Sequence, residues 1–284
     1  MVGDVTRVGV DMAERKRGIT RMVVRRTEWV TPHLVRVVLG SGSFVDNEFT
    51  DKYVKLLFLK PGVTYPDPID LDVIRATWPR ADWPTTRTYT VRWFDPADGS
   101  LAIDFVTHGD EGIAAPWAAA AQPGDEIIVR GPGGAYAPDV SADWHLLVGD
   151  ESALPAVGAA LEALPAGASA VVFALVEDEA EQVKLASAAE VDVTWLYRSD
   201  FPSASAANDA LVTAVRSASF LDGAVHAFVH GEAGFVADLR RHLSAERGVP
   251  REMLSVSGYW RRGKNEDGWQ AEKAETRRLE EAPR

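Results

Sequence analysis

The stretch 126-EIIVRGPGGAYAPDVSADWHLLVGDESALPAVGAALEAL-164 decides the fold, because the rhythm of the chain changes inside it. Its first part is a short β-rich run closed by Pro and Gly. Its last part is an apolar run, 144-WHLLVG-149, that turns straight into an alanine- and leucine-rich helical pattern. The segment 132-PGGAYAPDVSAD-143 between them is rich in turn residues and marks a domain boundary.

Upstream, the β-rich rhythm repeats at 19-ITRMVVRRTEWV-30, 33-HLVRVVLG-40, 53-YVKLLFL-59, 87-RTYTVRWF-94 and 101-LAIDFVT-107. With 126-EIIVRG-131 these make six stretches broken by clusters such as 61-PGVTYPDP-68, which predicts an antiparallel barrel or sandwich. One helix is expected in this half, around 113–121, stopped at 123-PGD-125. Downstream, strands at 144–149, 170–176, 191–197, 224–231 and 253–260 alternate with helices at 154–164, 208–218 and 234–248. That alternation predicts a doubly wound parallel sheet, whose ligands sit at the carboxyl ends of the strands. The expected domains are 18–136, 137–262 and a polar helical tail, 263–284.

The 284 residues include no cysteine, which excludes disulfides, a thiolate nucleophile and Cys-held zinc or iron–sulfur clusters. The net charge of −12 is concentrated: residues 137–236 carry 3 basic and 15 acidic side chains. An acidic middle segment argues against binding the nucleic-acid backbone. No apolar run approaches the roughly 20 residues a membrane-spanning helix needs, and residues 1–18 lack a signal-peptide core, so a cytoplasmic location is expected. HExxH, GxSxG and P-loop patterns are absent, and the six histidines are scattered.

Several local patterns point to a phosphorylated, flat ligand. In 87-RTYTV-91, alternation puts Arg87 and Tyr89 on one face and Thr88 and Thr90 on the other. Arg binds phosphate bidentately, Tyr packs on a ring and Thr hydrogen-bonds its polar edge; an ordinary half-buried strand is the alternative. The stretch 105-FVTHGDEGIAAPWA-118 runs from a strand through Gly109 and Gly112 into a helix cleared by Ala114 and Ala115, where a diphosphate fits. A helix that only packs Trp117 into the barrel is the competing reading. The turn 149-GDESALPA-156 lies where a nicotinamide dinucleotide is bound in this architecture, although GxGxxG is missing. Asp150 and Glu151 there could equally serve only as caps. Arg198 ends a strand at the same edge, placed for an adenosine phosphate or for solvent. Lys52 and Lys55 flank or interrupt an apolar strand, either as guards against edge pairing or as a cationic mouth.

Taken together, 87-RTYTV-91, 104-DFVTHGDEGIAAPWA-118, 123-PGDEIIVRGPGGAY-136, 149-GDESALPA-156 and 258-GYWRRGKNEDGW-269 resemble the siderophore-interacting protein family of flavin-containing ferric-siderophore reductases, similar in build to ferredoxin–NADP reductases. The resemblance spans about residues 18–270. It implies an N-terminal FAD-binding barrel, a C-terminal domain for NADPH or NADH, and electron flow from the nicotinamide through FAD to Fe(III) in a ferric siderophore. By the same resemblance, Arg87, Tyr89 and Thr90 hold the flavin and its phosphates. Val106, His108, Gly109, Gly112, Ala114 and Ala115 border the diphosphate. Asp150, Glu151 and Ala153 line the nicotinamide pocket, with Arg198 at the adenosine phosphate, and Tyr259 and Trp260 lie near the flavin ring. Lys55 and Lys52 attract the ferric siderophore. Where some members carry a basic residue inside the GPxG turn, this chain has Gly133, which implies a less positive mouth. Three alternatives stay open: a siderophore carrier, a general flavin or electron-transfer reductase, and a reductase fed by ferredoxin. Arg198 favours NADPH as donor, and the acidity around it favours NADH.

Overall fold

A computed structural model describes residues 18–41, 43–107, 112–266, 268, 269, 272 and 275. The readings made for residues 1–17, His108, Gly109 and most of the tail lie outside these.

Six strands form a closed barrel: β1 (Ile19–Thr31), β2 (Leu34–Gly40), β3 (Tyr53–Phe58), β4 (Thr85–Asp95), β5 (Ser100–Val106) and β6 (Glu126–Gly133). Their order is β1-β2-β5-β4-β3-β6, with neighbours antiparallel. Alternation sends Met22 and Val24, Val35, Val37 and Leu39, and Leu101, Ile103 and Phe105 into one core. The barrel is not sealed along its whole length. β4 pairs with β3 from Thr85 to Thr90 but meets β5 only from Val91, opposite Ile103, so the β4–β5 seam stands open beside Arg87–Thr90.

Two helices belong to this half. α2 (Ala114–Ala120) is the expected one and closes the barrel with Trp117, whose ring lies 5.8 Å from Phe105 and 6.0 Å from Phe58. α1 (Leu71–Thr77) was not expected. It is two turns long, is started by Asp70, whose carboxylate accepts from the Asp72 and Val73 amides, and buries only Leu71 and Ile74.

The second half is a five-stranded parallel sheet, β7 (Trp144–Asp150), β8 (Ser169–Val176), β9 (Glu190–Tyr197), β10 (Val225–Glu232) and β11 (Leu254–Trp260), in the order β11-β10-β7-β8-β9. α3 (Leu154–Ala163) packs on one face with Tyr136, and α4 (Ala204–Ser217) and α5 (Ala233–Arg241) cover the other. α5 continues into one π-helical turn, His242–Glu246. Among the described residues, no helix is long and apolar enough to cross a membrane.

Candidate functional site

The open seam of the barrel faces the carboxyl ends of the sheet. β3–β4 pairing sets Lys55 opposite Thr88 and Tyr53 opposite Thr90, and the Thr90 side chain is hydrogen-bonded to Tyr259 at the end of β11. Burial pushes the Tyr259 hydroxyl well above its ordinary range, as it does for Tyr89. Both phenols therefore stay neutral. The Tyr89 ring leans on Phe105 at 4.4 Å, and Thr90 is 7% exposed. Arg87, two residues before Tyr89, is half-buried, its Nη1 donating to the Thr86 carbonyl at 2.8 Å.

Glu266, beyond β11, reaches this strand. Its carboxylate accepts from the Thr88 amide at 3.0 Å and lies 3.9 Å from Arg87 Nε. The first turn of the tail is held by the Trp269 indole, which donates to the Gly258 carbonyl at 3.3 Å. Trp269 is 8% exposed, so this part of the tail is docked, where the sequence had suggested an exposed helix. Val106 ends β5 on the far side of the seam, and Gly112 (φ 84°) leads into buried Ala114 and Ala115. Only glycine holds that backbone without strain. A cavity of about 370 Å³, lined by Phe58, Pro61, Ile113 and Trp117 among others, opens beside α2.

On the sheet side, Asp150 is fully buried and its acceptors are taken. Oδ1 accepts from the Ser152 amide (3.0 Å) and hydroxyl, and Oδ2 from the Glu232 amide (2.9 Å) and the Trp260 indole (2.8 Å). Asp150 thus ties the ends of β7, β10 and β11 together. Gly231, at φ 139°, is required next to it, since a Cβ there would stand 2.8 Å from the carboxylate. The turn into α3 is equally tight, because a Cβ on Gly149 would meet that of Ala153 at 2.7 Å. Glu151 points the other way and is ion-paired with Arg198 across the end of β8, the two side chains being 18% and 11% exposed. Burial pushes the Glu151 carboxyl up to about 7, with Arg198 opposing and Asp150 adding to the rise.

The structure therefore brings Arg87, Tyr89, Thr90, Tyr259 and, through Asp150, Trp260 into one cleft, with Glu151 and Arg198 along its sheet wall, while Ala153 is fully buried behind it. Lys55 faces out of the same β3–β4 ribbon. Lys52 is held apart: its ammonium donates to both Asp46 oxygens at 2.8 Å and to the Asn47 carbonyl at 2.9 Å. Two residues of the cleft escape the sequence reading. Arg130 stands directly opposite Lys55 in the β3–β6 register, its guanidinium 3.4 Å from the Asp72 carboxylate, and Glu266 comes from a tail read as solvated. The strand 126-EIIVRG-131 carried the signal for Arg130, which only the pairing register brings beside Lys55.

The described donor set suits a flavin dinucleotide. A guanidinium can take phosphate, β4 beside the seam is not paired with β5, and two neutral phenols and a buried hydroxyl supply aromatic and polar contact.

An antiparallel barrel followed by a parallel sheet with helices is a fold shared with ferredoxin reductases. The ferredoxin reductase of carbazole 1,9a-dioxygenase has this fold, with a TM-score of 0.58 at 14% identity over 86% of this chain and 70% of that one. Within that class the chain belongs to the siderophore-interacting protein family: residues 23–136 match the siderophore-interacting FAD-binding domain, and residues 142–263 match the siderophore-interacting protein domain. An uncharacterized protein of Mycobacterium tuberculosis is 46% identical over 88% of this chain and 93% of its own. The ferric vibriobactin reductase of Vibrio cholerae is 31% identical (87% and 91%), and the NADPH-dependent ferric-chelate reductase of Escherichia coli is 32% identical (84% and 91%). Among solved structures, a siderophore utilization protein from T. fusca matches with a TM-score of 0.75 at 36% identity, over 87% of this chain and 94% of that one. The chain is thus a member of an FAD-binding, siderophore-interacting family that includes ferric reductases.

Proposed function

We propose that this protein reduces Fe(III) held by a siderophore, drawing electrons from a nicotinamide dinucleotide through FAD and releasing Fe(II) in the cytoplasm. The observation that carries this reading is the Thr90–Tyr259 contact, which sets the open β4 edge against the carboxyl ends of the parallel sheet. Bound FAD supplies the conversion of a two-electron donor into one-electron steps. The protein's own part is placement. With FAD bound, Arg87 would hold phosphate, Tyr89 and Tyr259 would supply aromatic contact to the ring, and Thr90 would supply a hydrogen bond. Asp150 does not touch the ligand but fixes Trp260 and the Glu232 amide around the pocket. Lys55 and Arg130 give an anionic chelate a positive place to dock beside the seam. Hard oxygen donors hold Fe(III) far more firmly than Fe(II), so reduction is also release.

Purified protein should show flavin absorbance that bleaches on anaerobic addition of a nicotinamide donor. It should return when a ferric siderophore is added, with Fe(II) captured by a ferrous chelator. Equal rates with ferric siderophore and with free flavin would instead describe a general flavin reductase. Flavin that no nicotinamide bleaches would describe a carrier or a ferredoxin-fed enzyme.

A further inference from the structure

Arg198 is the first residue after β9, where an adenosine 2′-phosphate would be met, and it is not available as a free positive charge. Glu151, the first residue after β7, takes it up across the end of β8, and Glu177, the first after β8, is exposed at the same edge. Three further cations belong to the opposite flank, because β11 and β9 are the two edges of the sheet. There, Arg261 and Lys264 pair with Glu272, and Arg262 lies over the Trp260 ring at 5.7 Å. Arg216 sits at the end of α4 on Glu246.

We infer that Glu151, by holding Arg198, makes this protein select the unphosphorylated dinucleotide, NADH, over NADPH, with Glu177 reinforcing the choice. The inference rests on the sheet edge being the nicotinamide site. A 2′-phosphate could reach the Arg198 guanidinium only by displacing the Glu151 carboxylate, which would then be mostly buried beside Asp150 with no counter-charge. It would also approach Glu177. A ribose 2′-hydroxyl faces neither penalty and can donate to a carboxylate, as acidic residues near this position do in dinucleotide folds. Specificity of this kind comes from the repulsion of the wrong ligand as much as from attraction of the right one. The E. coli relative is named for NADPH, so selection here would be a property of this chain's own edge charges.

The test is binding, independent of turnover: titration calorimetry of the FAD-loaded protein, at a pH above the Glu151 carboxyl's value of about 7, with ADP-ribose and with its 2′-phosphate. Wild type should bind ADP-ribose at least about tenfold more tightly. Glu151→Gln should narrow that ratio by about tenfold or more, because Arg198 is released. Glu177→Gln, at an exposed position, should narrow it by about threefold and covers the case in which the first variant does not keep its flavin. Wild type that binds the 2′-phosphate as tightly or more tightly overturns the inference while leaving the nicotinamide site intact. So does a ratio that moves in neither variant. Binding of neither compound overturns the nicotinamide site itself and the inference with it.

Discussion

Removing the Asp150 carboxylate should loosen the whole floor of the cleft, and the structure gives the size of the effect. The side chain is fully buried and accepts from two backbone amides, one hydroxyl and the Trp260 indole. A hydrogen bond to a charged group contributes about 1.5–3 kcal/mol, and removing one member of a buried charged cluster costs about 3–5 kcal/mol because the remaining groups are left unpaired. Asp150→Ala should therefore lose about 3–5 kcal/mol, lowering the melting temperature of the flavin-loaded protein by about 6–20 °C at about 2–4 °C per kcal/mol. Trp260→Phe in the wild-type background should cost about 1.5–3 kcal/mol. In the Asp150→Ala background the same change should cost less than about 0.5 kcal/mol, since the indole no longer has a partner, and Asp150→Asn, which keeps one oxygen, should fall between. Chemical denaturation followed by circular dichroism reads all four corners. An equal cost for Trp260→Phe in both backgrounds, or an Asp150→Ala variant within about 1 kcal/mol of wild type, would refute the claim that this carboxylate ties β7 to β10 and β11.

Arg87→Gln should weaken FAD binding by about 10- to 100-fold, the size of a lost charge-assisted phosphate contact, as read by flavin fluorescence during apoprotein titration; an unchanged affinity would remove Arg87 from the site. Charge-neutral Lys55→Gln and Arg130→Gln should each raise KM for an anionic ferric chelate severalfold and flatten its salt dependence, with little change in flavin affinity. Glu151 ties stability to pH. Burial pushes its carboxyl up to about 7 in the folded chain, against 4.5 for a free side chain, so the folded state binds the proton more firmly and stability falls as pH rises from about 4.5 to 7, with the charged pair to Arg198 complete above that window. Relative to wild type, Glu151→Gln should gain melting temperature across that window and hold the gain above it; a difference that does not change with pH would contradict the burial of this group.

The legible part of the fold was its local periodicity. The six barrel strands and five sheet strands fall where alternation and apolar runs put them, to within two residues at either end. α1 was hidden because two turns at 71-LDVIRAT-77, set among prolines and aspartates, give too short a period to stand out from a loop. The π turn after α5 and the docking of Trp269 depend on contacts that no local pattern encodes. The same division holds in the cleft. Arg87, Tyr89 and Thr90 could be grouped because they share one strand. The partner that cancels Arg198 lies 47 residues earlier, and Arg130 meets Lys55 only through strand register. Charge counting showed the 137–236 segment to be acidic, and pairing then decided which of those carboxylates meets the arginine.

The gap in the barrel has a consequence for the barrel on its own. From Thr86 to Thr90, β4 is not paired with β5, and Tyr259 and Glu266 from the far end of the chain lie against it. A fragment ended at Tyr136 would bare a run of strand with idle amides and carbonyls, a template for another copy to add itself. A shortened barrel should therefore be sticky rather than merely inactive.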